Sequence, residues 1–358
     1  MAAEKKTYKI FCITDIHFGR SSNNPIKFKN FMEFFQYFID YVHNHADKDD
    51  VCIFCGDLFE NRNIADLKYM SDAFKAVRKL SKIVKTYLIS GNHDQYEKVN
   101  PEHTCLDMFE NDNKNITVVK SPTLIKGDGI LMLPFYNDNS QFVDMANKYK
   151  SDNTNLLFCH AGFTGNSFFT GPDSECIDVN DVKSFEKVIT GHIHARNIYK
   201  NIHFVGAPYQ LDFSDVNFDR GFDVFFVNQD GHIVKDEFVK NTMSPKYIVR
   251  NIDTTEQFND IIATCRNEFK GNYVKFIAGK EVDYSVMNKD LSFLEAISID
   301  WSLKKDMALE TSDSTEDSKG YVSLSDEVGN YINESNISSN AKKELISIVD
   351  EIFAKAGK

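Results

Sequence analysis

Short apolar runs that each stop at an acidic residue, an asparagine or a histidine constrain this chain more than any other feature. Residues 7–14 (TYKIFCIT) read as a strand ending at Asp15, and residues 51–55 (VCIFC) as one ending at Gly56-Asp57. Residues 85–90 (KTYLIS) end at Gly91-Asn92-His93-Asp94, residues 155–159 (NLLFC) at His160, and residues 186–190 (EKVIT) at Gly191-His192. Their length and their β-branched and aromatic content mark them as strands. Between them, residues 25–46, 64–83 and 138–149 read as helices. The clearest is the first, where Phe28, Phe31, Phe35, Phe38 and Val42 recur at helical spacing behind Pro25. Strands alternating with helices predict an α/β protein. In such sheets a site forms where loops from distant positions converge beyond the strand ends.

The rest of the chain reads in two styles. Residues 116–135, 198–205 and 221–238 are further strands, with Gln229-Asp230-Gly231 as a hairpin turn. Beyond residue 245 a small strand–helix–strand module spans 246–302. Residues 304–320 (KKDMALETSDSTEDSKG) are polar and acidic and read as a linker. Two short amphipathic helices follow within 321–358. One places Leu324, Val328, Tyr331 and Ile332 on a face, with Ser323 and Asp326 resembling a capping box. The other does the same with Leu345, Ile348, Val349, Ile352 and Phe353, behind Asn340 as a cap. A tethered apolar helix pair suits binding to a partner protein.

Charge and cysteine usage remove several classes. The 358 residues carry a formal net charge of −12, which speaks against a protein that coats nucleic acid or an anionic membrane with a basic surface. A metal-rich cleft remains compatible with it. The apolar runs are strand-sized, far below the ~20 residues of a membrane helix. The N-terminus lacks the pattern of a secretory signal, so a cytoplasmic setting without membrane association is expected. Seven cysteines in no framework spacing read as buried apolar residues in a reducing compartment. Cys52 and Cys55 form a C-x-x-C, but within a strand they face opposite sides, against a redox pair.

Five blocks carry the chemistry: Asp15-Ile16-His17, Gly56-Asp57, Gly91-Asn92-His93-Asp94, Cys159-His160-Ala161-Gly162 and Gly191-His192-Ile193-His194. Five of the ten histidines lie in them. Mixed imidazole, amide and carboxylate donors suit manganese, iron or zinc. Asp-x-His and His-x-His let alternate residues of an extended segment reach one ion, and adjacent glycines admit sharp turns and a close phosphate.

In order and spacing these blocks resemble the calcineurin-like metallophosphoesterases, whose pattern is D-x-H, G-D, G-N-H-D/E, H and G-H-x-H. Gly56-Asp57-Leu58-Phe59 and the stretch from Gly206-Ala207-Pro208-Tyr209 to Arg220-Gly221-Phe222 are similar to the SbcD-type DNA repair nucleases. Length and the ending G-D-L-F-E resemble the phage recombination subunits of that branch. The resemblance implies an α/β fold of two packed mixed sheets flanked by helices in a four-layer sandwich. It adds a small α+β capping domain and a C-terminal helix pair. The expected divisions are a nuclease domain at 1–245, a cap at 246–303, a linker at 304–320 and a partner-binding helix-loop-helix at 321–358.

The resemblance further implies a two-metal DNA nuclease, exonuclease or single-strand endonuclease, acting in repair and recombination with an SbcC-like coiled-coil ATPase. Asp15, His17 and His194 would bind one divalent ion, Asn92, His160 and His192 the other, and Asp57 both, with manganese the favoured metal. Such a pair activates water for in-line attack on phosphorus. His93 would protonate the leaving oxygen, with Asp94 orienting its ring. Glu60 stands where cellular relatives often carry histidine, which removes any role assigned to that side chain. Arg20, Arg62 and Arg196 lie near the ligand loops and could meet DNA phosphates, although each also reads as an ordinary surface charge. The aromatic helix has more apolar residues than one face needs, which would suit a homodimer. The other reading of the same blocks is a small-substrate enzyme, a nucleotide phosphodiesterase or protein phosphatase.

Overall fold

The computed structural model describes residues 7–20, 24–61, 66–97, 100–110, 113–164, 176–216 and 218–304, together with Lys342 and Leu345. In chain order the first strands are β1 (Tyr8–Ile13), β2 (Val51–Phe54), β3 (Lys85–Ile89), β4 (Gln95–Glu97), β5 (Asn100–Thr104), β6 (Ile116–Val119), β7 (Thr123–Ile125), β8 (Ile130–Met132) and β9 (Leu156–His160). Then come β10 (Lys187–Gly191), β11 (Asn197–Tyr199), β12 (Ile202–Phe204), β13 (Gly221–Val227) and β14 (Ile233–Lys240). Helices α1 (Pro25–His45), α2 (Leu67–Ser81) and α3 (Asn139–Tyr149) are interspersed.

Two six-stranded mixed sheets result, with strand orders β14-β13-β1-β2-β3-β6 and β11-β12-β10-β9-β8-β7. In the first, β1, β2, β3 and β6 run parallel, and β13 pairs antiparallel with β1. In the second, β8, β9, β10 and β12 run parallel, with β7 and β11 antiparallel at the edges. Side-chain alternation fixes the layers. Ile10, Cys12, Val51 and Ile53 pack with Met132, Leu156, Phe158 and Ile189 between the sheets. Phe11, Ile13, Cys52 and Phe54 face α1 and α2 instead. Leu157, Cys159 and Val188 face α3. The four-layer expectation therefore holds. The two cysteines of the C-x-x-C do look in opposite directions, Cys52 to the helices and Cys55 between the sheets.

Helix α1 starts where its sequence says. Asn24 accepts hydrogen bonds from the amides of Ile26 and Lys27, and Pro25 occupies the first turn. Its aromatic surplus is consumed internally. Phe31 stacks on Tyr209 with centroids 4.2 Å apart, Phe34 meets the same ring edge-on, and Tyr37 and Tyr41 lean on Phe222. Of the large apolar residues on α1 only Ile26 is exposed, so the apolar surplus read from the sequence packs within this chain.

A third sheet follows from β15 (Tyr247–Thr254), β16 (Tyr273–Glu281) and β17 (Ser298–Leu303), with α4 (Thr255–Thr264) and α5 (Arg266–Phe269) between the first two. All three strands are parallel. The reading of 246–302 as strand–helix–strand missed β17, whose Ile299 and Trp301 pack against this sheet's own core of Ile252, Phe258, Phe276 and Leu294. The chain up to Lys304 forms one unit. The expected linker at 304–320 and helix pair at 321–358 lie outside the described residues apart from Lys304, Lys342 and Leu345. No helix among the described residues is long and apolar enough to cross a membrane.

Candidate metal centre and active site

The loops beyond β1 and β2 are zipped together by their backbones. The amides of Asp15 and His17 donate to the carbonyls of Gly56 and Asp57 at 3.1 and 3.0 Å, and the Phe18 amide donates to Leu58 at 2.9 Å. This pairing forces sharp turns. Asp15, His17 and Asp57 each have φ of 50° and His192 has φ of 80°. Such left-handed backbone is uncommon outside glycine and costs roughly 1–2 kcal/mol per residue. Four strained residues, all of them expected ligands, mark a site that the fold over-determines. Neighbouring glycines are held by crowding, since a Cβ on Gly56 would collide with the His160 ring and one on Gly91 with Asp57.

The expected ligands converge. His17 Nε2 lies 3.1 Å from His194 Nε2, and Asp15 Oδ1 lies 3.8 and 3.9 Å from those two nitrogens. Asp57 Oδ2 is 3.8 Å from His17 Nε2 and 3.2 Å from His160 Nε2, so this carboxylate stands between two groups of donors. Asn92 Oδ1 lies 2.9 Å from His160 Nε2 and 3.0 Å from His192 Nδ1. The His192 amide reaches both oxygens of Asp15 at 3.2 Å, tying the last block to the first.

Electrostatics also favour cations here. Asp15 and Asp57 are buried, and among the described residues only histidines reach their carboxylates as charge partners. Buried carboxylates without cationic partners are costly. In the metal-free fold the imidazoles answer that charge. Burial drives His17 down, but its bonds to Asp15 and Glu60 and the charge of Asp57 outweigh this and lift it to about 10. Burial likewise lowers His160, and the neighbouring Asp57 overrides it to about 9. Burial resists ionisation of Asp57, yet the His160 charge and hydrogen bond hold its carboxyl far below the usual range. His192, by contrast, is pushed down to about 4 by burial and by His160. Two carboxylates, an amide oxygen and four imidazoles form a donor set that fits borderline divalent ions.

His93 and Asp94 part company. The His93 amide donates to Asp57 Oδ1 at 2.9 Å, and its ring meets His17 edge-on at 5.0 Å. Its Nδ1 lies 2.7 Å from the Glu60 carbonyl oxygen. The Asp94 carboxylate instead accepts from the amides of Phe59 and Gly91 at 3.0 Å and Leu58 at 3.3 Å. The expectation that Asp94 orients the His93 ring is therefore corrected. Consecutive side chains of this turn diverge, and Asp94 turns inward to bind one loop to the next. Burial and the Asp57 charge raise it to about 6.

The cationic candidates also change. Arg196 Nη2 lies 2.7 Å from the buried Asp223 and 3.3 Å from His203 Nε2, and its guanidinium covers the Phe238 ring. It is committed to the fold between the sheets. Arg20 pairs with Asp212 at 2.7 Å and stands 3.7 Å from Glu60. Arg62 lies outside the described residues.

The stretch from Gly206 to Phe222 buttresses the last ligand loop. The His194 carbonyl accepts from the Ala207 amide at 3.0 Å and from Arg220, which pairs with Asp215 at 2.8 Å. Tyr209 Oη donates to the Ile16 carbonyl, between Asp15 and His17. Sequence reasoning had noted this stretch only as a branch resemblance. Phe135, beside the His160 and His192 rings at 6.2 and 6.0 Å, carried no sequence signal.

The family pattern of the calcineurin-like phosphoesterases matches residues 8–196, which is more than half of the chain. This chain belongs to the calcineurin-like phosphoesterase family. Within the family it is a metal-dependent phosphoester hydrolase, and the five blocks with their converging donors are the part that the match spans. The chain is 24% identical over 311 residues to exonuclease subunit 1 of Enterobacteria phage T4, covering 84% of this chain and 86% of that protein. It is 29% identical over 174 residues to putative phosphoesterase 244L of Invertebrate iridescent virus 6, covering 46% of this chain and 60% of that one.

Proposed function

We propose that this phosphoesterase is a DNA nuclease subunit of the SbcD type, hydrolysing phosphodiesters at a two-metal centre together with an SbcC-like coiled-coil ATPase. The observation that carries the reading is the likeness to a protein named an exonuclease subunit, which extends over 84% of this chain and so includes the third sheet. The small-substrate reading offers no use for that sheet or for the helix pair.

Asp15, His17 and His194 would hold one divalent ion, Asn92, His160 and His192 the second, and Asp57 would face both. Manganese is the metal favoured by the resemblance, within a donor set that suits manganese, iron or zinc alike. When bound, the ions supply a nucleophile from water and neutralise charge developing on phosphorus. The protein's part is to present the phosphate and manage the proton. Because the Glu60 carbonyl holds His93 Nδ1, Nε2 is the ring nitrogen left for the departing sugar oxygen, and His93 serves there as general acid. Asp94 keeps the two loops that carry Asp57 and His93 in register.

The proposed divisions remain 1–245 for the nuclease, 246–303 for the cap, 304–320 for the tether and 321–358 for the helices that grip the ATPase. A homodimer would have to form away from the buried faces of α1. The test is cleavage of duplex and single-stranded DNA with manganese, with and without the ATPase. Metal-dependent cleavage supports the reading. Rapid hydrolysis of small phosphodiesters with no DNA cleavage in either setting would replace it with the small-substrate alternative.

A further inference from the structure

Glu60 stands where cellular relatives of the branch often carry histidine, and it lies against the proposed metal centre. Its Oε2 and His17 Nδ1 are 2.7 Å apart, and both atoms are buried and have no hydrogen bond of regular geometry among the described residues. The Glu60 side chain as a whole is one-quarter exposed, so its carboxylate enters from the rim. Donor atoms of His17, Glu60 and His93 lie within 4.8 Å of one another. The backbone carbonyl of the same residue holds His93 Nδ1 at 2.7 Å.

We propose that Glu60 is a positioning residue that fixes His17 as an Nε2 donor to the ion shared with Asp15 and His194. An imidazole has two nitrogens, and only one faces those two ligands. A carboxylate on the other retains its proton, so Nε2 keeps its lone pair for the ion. It also fixes the ring's rotation and raises the donor strength of Nε2. Loss of such a partner typically costs 10- to 100-fold in metal affinity. The adjacent Arg20 guanidinium, 3.7 Å from Glu60 Oε2, opposes swinging of the carboxylate into solvent. A histidine at this position brings no anionic acceptor, so the role belongs to chains with Glu or Asp here. It rests on the metal centre of the reading above, and it is independent of what the substrate is.

The experiment is calorimetric titration of the metal-free full-length protein with manganese alone, comparing wild type, Glu60→Gln and Glu60→Ala. Nitrogen chemical shifts of His17 in the zinc-loaded, diamagnetic protein report which ring nitrogen keeps its proton in each. The expected result is two sites in wild type. Glu60→Ala should weaken one of them 10- to 100-fold, leave the other within about threefold, and lose the Nδ1–H signature of His17. Glu60→Gln, whose amide oxygen still accepts from Nδ1–H, should recover most of the affinity. Equal affinities in wild type and Glu60→Ala, or equal weakening of both sites in a folded Glu60→Ala protein, would overturn the role. A wild type that binds no manganese at all overturns the metal centre itself, which separates the two failures.

Discussion

His93 and Asp94 are neighbours in sequence with different tasks, and substitution should tell them apart. His93→Asn removes the proposed acid without touching the donor atoms around Asp57. Its kcat should fall roughly 10²- to 10⁴-fold while manganese affinity stays unchanged, read by single-turnover cleavage beside metal titration. Asp94→Ala leaves three loop amides without their acceptor. Each such loss costs about 1–3 kcal/mol, so the melting temperature should drop. The alkaline limb of the pH–rate profile should not move, because Asp94 does not touch the His93 ring. A shifted limb with unchanged stability would restore the orienting role. The acid–base state of the centre gives a further expectation. His17 and His160 are raised to about 10 and about 9 in the metal-free fold, against ~6.5 for an unfolded histidine. Their contribution to stability is complete below pH ~6.5 and is lost as pH climbs through the folded values. Metal-free protein should therefore lose melting temperature between pH 7 and pH 10. The manganese-loaded protein should not, because ions replace those protons, and loading at neutral pH should release them. Calorimetry in buffers of different ionisation enthalpy measures both. At this scale the five blocks were legible, since each lies at or within a few residues of a strand end, while the choice of seven donors among their residues came from the resemblance. Where Asp94 points and what Arg196 binds were hidden, because both answers depend on partners that are distant in the chain, such as Phe59 or Asp223.

Elements set the geometry that the donors inherit. The turn after β2 carries Gly56 with φ of 95° against the His160 ring. Gly56→Ala should cost ~1–2 kcal/mol from the left-handed backbone alone, and the added methyl should push His160 from Asp57. Metal affinity is expected to fall by more than tenfold at a melting loss of only a few degrees, measured by titration and calorimetry on one preparation. Retained affinity would mean that the loop relaxes freely. Strands and helices with strong periodicity were legible, down to the Pro25 start of α1, though its Asn24 cap was not read. The short β4–β5 hairpin and β17 were not. In β17 the alternating Ile299, Trp301 and Leu303 gave a period-two signal, but a six-residue edge strand behind an irregular loop offers little more. The uniformly parallel third sheet was also illegible, because direction follows from how the crossovers pack and not from composition.

For the whole molecule, the net charge of −12 and the internal pairing of Arg20 and Arg196 point the same way. DNA should bind weakly to this chain alone, with a shallow dependence on salt, and more tightly with metals and the ATPase present. Fluorescence anisotropy across a salt series checks this, and a slope equivalent to six or more phosphate contacts would contradict it. Deleting 321–358 should abolish association with the ATPase while sparing manganese-dependent hydrolysis, and loss of both would place that segment in the catalytic core. Separately, His17 and His194 stand 177 positions apart in sequence and 3.1 Å apart in space. Strand β13, arriving later still, completes the flank of β1. The first donor set cannot close until the ribosome has delivered almost the entire catalytic region. A product that terminates before His194 lacks a donor of the first proposed set and should be hydrolytically silent. Competence for hydrolysis should therefore arrive only once β13 has been made, long after the first donors have left the ribosome.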